Sequence, residues 1–401
     1  MYIYYTLRHN KNRKAICMKV LNWIRSRKLW VKILVPVLVL VLAVGFYYGR
    51  KVWTVVEETK EMVTQIQDTG DFGAIKEEEV VMTYPEYQKD YLNLLVVGID
   101  YDESYEDRTY GSAENAKTDL ILYIHYNVKD NKASILQIPR DCYVGEMVSN
   151  YRINSIFAEG ENKESHITNL AKYINEAFGL PVDKFVSLDM AAFKEIVDVF
   201  GGIDIYLPED IYIFDDAGNR TLFASAGQGR FNGTDAEIVV RARKQFAQGD
   251  VQRLMLQRYV YAAMFEMISN ATMENMYRHI LPIVSWRVKS DMDFDTMLSL
   301  CTKVLELEGS DIFFVRVPGG PVTVNGQSVY GVNAANLAPI LNEHFHIEGA
   351  PEILAENLTI PTGWEYPLGE ILDKGSYLSS QLDEIADANA PAESAATENE
   401  G

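Results

Sequence analysis

Three short apolar segments follow one another along the chain and constrain it to a fold built on a β-sheet. They read YLNLLVVGID (91–100), TDLILYIHYNV (118–128) and KASILQIP (132–139). Their length and their content of β-branched and aromatic residues are typical of buried strands. The polar residues KDN between the last two segments predict a turn, so these two segments should pair as a hairpin.

Helical patterns follow these strands. HITNLAKYINEAF (166–178) ends at Gly179, and MAAFKEIVDVF (190–200) follows Asp189, a residue suited to cap a helix, and ends at a glycine pair. The short segments KFVSL and IDIYL flank the second helix and predict further strands. Because strands and helices alternate, the sequence predicts an α/β fold.

The hairpin predicts where polar side chains meet. With its turn at Lys129–Asn131, Asp119 at the start of one strand lies opposite Arg140 at the end of the other, to within two residues. If the strand that ends at Asp100 runs antiparallel to the strand that begins at Asp119, all three side chains lie at one edge of the sheet. Open α/β sheets bind ligands beyond strand ends, so this edge is a candidate site.

A second group of charges surrounds Asp250. Its members are five arginines, namely Arg230, Arg241, Arg243, Arg253 and Arg258. The stretch AEIVVRAR (236–243) is strand-like, and in a strand Arg241 and Arg243 point to the same face. Two arginines from this strand and one from the segment that follows can therefore converge.

The segment after the glycine at position 249 has helical spacing. Asp250, Arg253 and Gln257 form one stripe of a helix, while Tyr261 can face elsewhere. Guanidinium groups are always charged and match phosphate oxygens with paired donors. The arginines therefore favour a diphosphate as ligand, and the alternative is a set of surface salt bridges.

Carboxylates at the sheet edge predict a metal ion beside the phosphates. Asp100 and Asp119 supply the hard oxygen ligands that Mg²⁺ takes up together with substrate phosphates. We therefore expect Mg²⁺, or Mn²⁺, as cofactor. A nucleic acid is not an expected ligand, because the chain has a net charge of −20 and a phosphate backbone requires a basic face.

The N-terminal region predicts a membrane anchor. Residues 1–51 carry eleven lysines and arginines and no acid, whereas the remainder holds 26 basic and 57 acidic residues, a net charge of −31. An uninterrupted apolar run spans 33–48, and 30–49 as a helix is about 30 Å long, enough for a bilayer core. A secretory signal peptide is the alternative, but the run is longer than usual and ends in three aromatic residues.

The positive-inside rule gives this anchor a direction. It predicts a cytoplasmic basic arm at 1–32, a single-pass helix at 30–49 and all later residues outside the cell membrane. Apolar residues recur at helical spacing within 50–84, which predicts a stalk after the membrane helix. Residues 85–350 are predicted to form one domain, and 351–401 an acidic, low-complexity tail. Cys142 and Cys301 can form a disulfide outside the cell, although two buried thiols are the favoured interpretation.

Seven motifs, in order, carry a resemblance to a known family. They are LLVVGID, KTDLILYIHYN, SILQIPRDCYV, INSIFAEG, FVSLDMAAFKEIVDVFGGIDIYLP, VVRARKQFAQGDVQRLMLQR and VNGQSVYGVNAANLAPILNEHF. Together they cover about residues 90–346 and resemble the LytR-CpsA-Psr family. The resemblance implies a central mixed sheet with helices on both faces and a deep apolar groove for a lipid.

The resemblance also implies an activity. Members are membrane-anchored phosphotransferases that move a glycopolymer, such as teichoic acid or capsular polysaccharide, from a polyprenyl diphosphate carrier to peptidoglycan. The family's metal-binding aspartates match Asp100 and Asp119. Its diphosphate-binding residues match Arg140, Arg241, Arg243, Arg253 and Gln257, and Asp250 matches the acid of its Asp-x-x-Arg-x-x-x-Gln pattern. We therefore expect Asp250, Arg140, Arg241 and Arg243 to be catalytic.

This chain departs from the family at two positions, and two other functions stay open. Lys117-Thr118-Asp119 stands where Arg-Ser-Asp is usual, so Lys117 offers the phosphates a point charge instead of the paired donors of an arginine. Cys142 replaces a threonine.

The alternative functions are a metal-dependent polyprenyl diphosphate hydrolase and a non-enzymatic wall-binding or regulatory module. Asp250 is either the general base or the residue that orients Arg253, because nearby arginines should make its carboxylate a weak base.

Overall fold

The fold is seen in a computed structural model, which describes residues 90–99, 117–160, 166–215, 217–243, 245–246, 250–280, 282–284, 288–361 and 375–389. Within these ranges no helix is both long and apolar enough to cross a membrane. The predicted arm (1–32), membrane helix (30–49) and stalk (50–84), and Asp100, lie outside the described residues.

Strands make up the centre of the domain. They are β1 (Tyr91–Ile99), β2 (Thr118–Asn127), β3 (Lys132–Gln137), β4 (Lys184–Asp189), β5 (Ile203–Leu207), β6 (Ile211–Phe214), β7 (Arg220–Ala224), β8 (Gly227–Phe231), β9 (Lys289–Ser290), β10 (Ile312–Arg316), β11 (Gly319–Val324), β12 (Gln327–Val332) and β13 (Ser376–Tyr377). Seven of them form a sheet with the order β13-β10-β3-β2-β1-β4-β9. This sheet is mixed, because β1 is parallel to β4 and β10 to β3, whereas β2 is antiparallel to both of its neighbours.

Helices cover both faces of this sheet. The longer ones are α1 (His166–Phe178), α2 (Met190–Val199), α3 (Gly233–Arg241), α4 (Asp250–Ser269), α5 (Phe294–Val304), α6 (Ala334–His344) and α7 (Leu378–Asn389). Successive strand residues point to opposite faces. In β2, Tyr123 packs in a cluster with Leu170 of α1, whereas Tyr126 packs in a cluster with Ala262 of α4 and Leu378 of α7. The prediction of a central mixed sheet between two helical layers is confirmed.

Side-chain caps fix where four helices begin. Asp189, Asn232, Asp293 and Asn333 each accept a hydrogen bond from the backbone N–H three residues further on, at 2.7–3.1 Å. Such a bond satisfies one of the amide groups that have no partner in the first helical turn. The cap predicted at Asp189 is therefore confirmed.

The stretch predicted as a strand at 236–243 is a helix instead. Asn232 caps α3, and Ala236 and Val239, three residues apart, are both buried on the side that packs against the domain. The two adjacent valines suggested a strand, but the Asn232 cap and the buried face formed by Ala236 and Val239 stabilise a helix. Arg241 therefore ends α3 and Arg243 lies two residues beyond it, so they do not share the face of a strand.

The C-terminal part also differs from its prediction as a tail from residue 351. Ser376 and Tyr377 form β13, which pairs with β10, and α7 follows at once. Leu378, Leu382 and Ile385 pack against the sheet because they recur at helical spacing. The acidic composition averaged over this region hid that short apolar stripe.

Candidate functional site

Asp119 and Arg140 meet at one edge of the central sheet. The β2–β3 hairpin pairs Asn127 with Lys132 and Leu122 with Gln137, and three more residues in this register bring Asp119 opposite Arg140. The Nη1 atom of Arg140 forms an ion pair with Oδ1 of Asp119. β1 runs antiparallel to β2, as predicted, and its last residue, Ile99, pairs with Thr118 at this same edge.

A second arginine, which the sequence did not single out, extends this edge. The Nη1 atom of Arg152 lies 3.4 Å from Oδ1 of Asp141, and Nε of Arg140 lies 3.9 Å from the same oxygen. Arg152 comes close because the chain folds back, with the N–H of Asn154 donating to the carbonyl of Arg140 at 3.1 Å. Asp141 therefore sits between two guanidinium groups. The only signal in the sequence is that Arg152 directly precedes the INSIFAEG motif.

A polar stripe on α4 faces the end of β3. Arg253 and Gln257 are each 4% exposed, one turn apart. The Nε2 atom of Gln137, the last residue of β3, donates to Oε1 of Gln257 at 3.4 Å, and the Tyr261 hydroxyl donates to the same oxygen at 3.3 Å. The predicted stripe of Arg253 and Gln257 thus lies against the strand that leads to Arg140. Tyr261 belongs to it, which corrects the expectation that it faces elsewhere.

Two further arginines lie close to this stripe, Arg258 partly buried and Arg316 buried. The guanidinium carbon of Arg258 lies 5.1 Å from the centre of the Phe314 ring, a cation–π contact. Burial, and next the charge of Arg316, lowers the pKa of Arg258 to about 10. Arg316 ends β10, pairs with Gln137 in the register of the sheet and is 5% exposed. Positive charge is thereby concentrated below the sheet edge.

Arg241 is held by a buried acid that the sequence did not point to. Its Nε atom lies 3.0 Å from Oε1 of Glu237, one turn earlier on α3, and the other oxygen of Glu237 lies 3.2 Å from Nζ of Lys194 on α2. Glu237 is buried. Arg243, in contrast, is exposed beyond the end of the helix.

The other predicted residues, Asp250, Lys117 and Arg230, lie on or next to three different elements of the fold, α4, β2 and β8. Asp250 is the first residue of α4, and its side chain lies outside the described part of the structure. Lys117 is exposed directly before β2. Arg230 is not part of the arginine group, because it lies on β8 with Nη1 2.5 Å from Oδ2 of Asp204. The prediction that Arg230 belongs to the group of arginines around Asp250 is therefore wrong.

The described residues supply one of the two predicted metal ligands. Asp119 is 29% exposed, so its carboxylate is accessible at the sheet edge. Within the described ranges no three His, Cys, Asp or Glu side chains cluster as a metal site. One accessible carboxylate fits a cation such as Mg²⁺, which takes few protein ligands and completes its shell with phosphates and water.

Both cysteines of the domain are thiols, not the two halves of a disulfide. Cys142 is buried beside the sheet edge, two residues after Arg140. Burial raises the pKa of Cys301 to about 11. The favoured interpretation of two thiols is confirmed, with Cys142 buried and Cys301 partly buried.

Comparison of the sequence with known proteins identifies relatives of this chain. A family model described as the LytR_cpsA_psr family matches residues 54–346, more than half of the chain. The polyisoprenyl-teichoic acid–peptidoglycan teichoic acid transferase TagU of Bacillus subtilis is 26% identical over 326 residues, which cover 80% of this chain and 95% of TagU. TagV of the same organism, named for the same transfer, is 25% identical over 59% of this chain and 56% of its own length.

Solved structures share the fold. The crystal structure of B. subtilis TagV superposes with a TM-score of 0.52 at 22% identity, covering 66% of this chain and 100% of that structure. TagT bound to LIIa-WTA superposes with a TM-score of 0.51 at 20% identity, over 69% and 98% of the two chains. At these identities the likeness supports the α/β architecture alone.

Proposed function

This chain belongs to the LytR-CpsA-Psr family, and from that premise we propose that it transfers a glycopolymer of the teichoic acid or capsular polysaccharide type from a polyprenyl diphosphate carrier to peptidoglycan. The named activity of TagU and TagV supports this proposal. The observation that carries it is that β3, which leads to the Arg140–Asp119 ion pair, is joined by the Gln137–Gln257 hydrogen bond to the α4 stripe that holds Arg253.

The arginines bind the diphosphate in this proposal. Arg140, Arg241, Arg243 and Arg253, with Lys117 and Gln257, neutralise the charge of its oxygens and orient the phosphoryl group for in-line attack by a sugar hydroxyl. Positioned charge accounts for most of the catalysis of such transfers. The P–O bond to the carrier breaks as the new P–O bond forms, and polyprenyl monophosphate leaves. The product is a phosphodiester.

Asp119 and Asp100 would hold a divalent cation, Mg²⁺ or Mn²⁺. When bound, the ion neutralises phosphate oxygens as a Lewis acid. Asp119 makes an ion pair with Arg140, so the carboxylate that binds the cation also fixes the arginine that binds phosphate. Ligand and cation are therefore expected to bind together.

Two residues hold Arg241 in place. Glu237 forms an ion pair with its Nε atom and is itself balanced by Lys194 of α2. Asp250 is proposed as the general base for the attacking hydroxyl, and orientation of Arg253, one turn along α4, is the other role that its position allows.

The cellular setting is part of the proposal. The basic arm at 1–32 lies in the cytoplasm, residues 30–49 form a single-pass signal-anchor, and the domain works outside the cell membrane, where carrier lipid and peptidoglycan meet. No nucleic acid takes part. The strongly acidic outer portion fits this setting.

The test uses the full chain in lipid vesicles with a labelled polyprenyl diphosphate glycopolymer, Mg²⁺ and peptidoglycan fragments. The proposal expects a covalent glycopolymer–peptidoglycan conjugate together with polyprenyl monophosphate. Monophosphate without conjugate would indicate a hydrolase. Neither product, with the lipid unbound, would indicate a binding or regulatory module.

A further inference from the structure

A cavity lies away from the arginine cluster, between the C-terminal half of α4 and the β5–β8 strand pair. Its volume is about 460 Å³, within the range of about 300–1,000 Å³ that is usual for ligand pockets. Glu266 of α4 lines it, nine residues after Gln257. Nine residues are two and a half helical turns, so the cavity opens on the opposite side of α4 from the Gln257 stripe and about 14 Å further along.

The Gly201–Gly202 pair, which ends α2, shapes one wall of this cavity. Gly201 and Gly202 have φ angles of 73° and 109°, which other residues rarely adopt, and a Cβ atom at Gly202 would lie 2.9 Å from the carbonyl oxygen of Phe231. Because this turn carries no side chains, Arg230 folds over it and donates from Nη2 to the carbonyl of Gly201 at 3.2 Å. The sequence motif GGIDIYLP thus builds a pocket wall.

The same wall carries a compensated charge pair. Nη1 of Arg230 lies 2.5 Å from Oδ2 of Asp204, and both side chains are about half exposed. Because the guanidinium of Arg230 is bound by Asp204 and by the carbonyl of Gly201, its charge is already neutralised within the wall. Glu266 on the opposite wall adds a negative charge, and the three groups sum to −1. An anionic ligand is therefore disfavoured in this cavity.

The opposite wall offers hydrogen-bonding groups in a row. Glu266, Asn270 and Asn275 line it, and among the described residues no other side chain bonds to their carboxylate and amide groups. A carboxylate accepts hydrogen bonds, and an amide both donates and accepts. Two partly exposed apolar side chains, Phe200 and Met267, also line the cavity. Polar groups on the walls above an apolar surface match a sugar, whose hydroxyl groups surround a ring with C–H faces.

We infer that this cavity is a carbohydrate-binding site for a neutral oligosaccharide, separate from the diphosphate site. It recognises hydroxyl groups through Glu266, Asn270 and Asn275 and excludes anionic polymers through its negative charge. The site does not depend on the phosphoryl transfer proposed above. Within that proposal, its position would hold a glycan strand to the domain while the reaction takes place on the other side of α4.

The test measures binding of a β-1,4-linked N-acetylglucosamine tetramer to the full chain in detergent, by calorimetry and by saturation-transfer NMR. Glu266→Gln replaces a charged acceptor with a weaker, neutral one, and Asn270→Ala removes an amide, so each should weaken binding about 3- to 10-fold. Asn270→Trp, at an exposed position, should fill the cavity and abolish binding. Glu176→Gln makes the same charge change on the exposed face of α1 and should have no effect.

Circular dichroism of each variant controls for folding. Saturable binding that follows this pattern supports the site. The inference is overturned if the tetramer does not bind, if Asn270→Trp binds as well as the unchanged chain, or if poly(glycerol phosphate) competes as strongly as the neutral sugar. Because no arm requires turnover, failure of this site and failure of the proposed transfer are distinguishable.

Discussion

Asp119 and Arg140 form an ion pair across the open end of the β2–β3 hairpin, in the register that the turn at Lys129–Asn131 fixes. The two side chains are 29% and 15% exposed, so solvent screens the pair only in part. The pair also joins the two chemical elements of the proposed site, a carboxylate for a cation and a guanidinium for phosphate. The strength of this ion pair therefore affects both cation binding and phosphate binding.

A double-mutant cycle should detect this coupling. Asp119→Ala and Arg140→Ala should each destabilise the domain, and the double variant should be more stable than the sum of the two losses predicts, by about 1 kcal/mol. Urea denaturation of the full chain measures the four free energies of unfolding. Purely additive losses would show that the two side chains do not interact in solution.

Glu237 should affect both stability and turnover. Glu237→Ala leaves Lys194 and Arg241 without their shared acid, and because both cations are partly exposed we expect a loss of about 2 kcal/mol in unfolding free energy. Glu237→Gln keeps the shape but loosens Arg241, and polyprenyl monophosphate release should fall 10- to 100-fold.

Asp235→Asn is the matched control, on the same helix. A Glu237→Gln variant with unchanged kcat and KM would show that Arg241 does not need this support, and would restrict Glu237 to a structural role.

The pH dependence of stability should reveal His125. Its Nδ1 lies 2.7 Å from Oδ1 of Asn93, which also accepts from the Tyr123 hydroxyl at 2.9 Å, at the end of the sheet remote from the candidate site. Burial, and next the charge of His346, lowers the pKa of His125 from 6.5 to about 4. The unfolded chain thus takes up this proton at higher pH than the folded chain does.

The free energy of unfolding should consequently fall, through His125 alone, by about 3 kcal/mol between pH 6.5 and 4. The effect is isolated by comparing the pH slope of the unchanged chain with that of His125→Phe, which keeps a ring against Tyr91. The exposed His279→Gln serves as control. Equal slopes for His125→Phe and the unchanged chain would refute this origin.

Cys301 should be unreactive in the native protein. Burial raises the pKa of its thiol to about 11, and only the thiolate is nucleophilic. In a Cys17→Ser background at pH 8, a thiol-specific disulfide reagent should modify neither Cys142 nor Cys301 until denaturant is added, when both should react. Rapid labelling without denaturant would contradict the burial of these thiols.

Local signals in the sequence were sufficient for much of the fold. The KDN turn fixed the register of the hairpin, and Asp189 and Gly179 correctly marked ends of helices. The strand predicted at 236–243 failed because adjacent valines suit either structure, and only the Asn232 cap and the buried Ala236 face select a helix.

The supporting residues of the site could not be read from spacing. Arg152 donates to the carbonyl of Ser328, 176 positions away, and Arg316 is buried beside Gln137 on a strand that follows it by more than a hundred residues. Arginine is normally exposed, so composition gives no reason to expect these two inside. Glu237 was missed because 236–243 was predicted as a strand, which hid its i,i+4 pairing with Arg241, and because Lys194 comes from a different helix.

The most direct test of the central claim is release of polyprenyl monophosphate by the full chain in vesicles that contain a short-chain polyprenyl diphosphate sugar and Mg²⁺. The account predicts metal-dependent release that falls at least about 100-fold in Arg140→Ala and in Asp119→Ala, because each removes a group positioned on the diphosphate. Arg230→Ala, which breaks an ion pair of similar form on β8, should leave release unchanged. Equal release from all four proteins would contradict the assignment of the sheet edge as the diphosphate site.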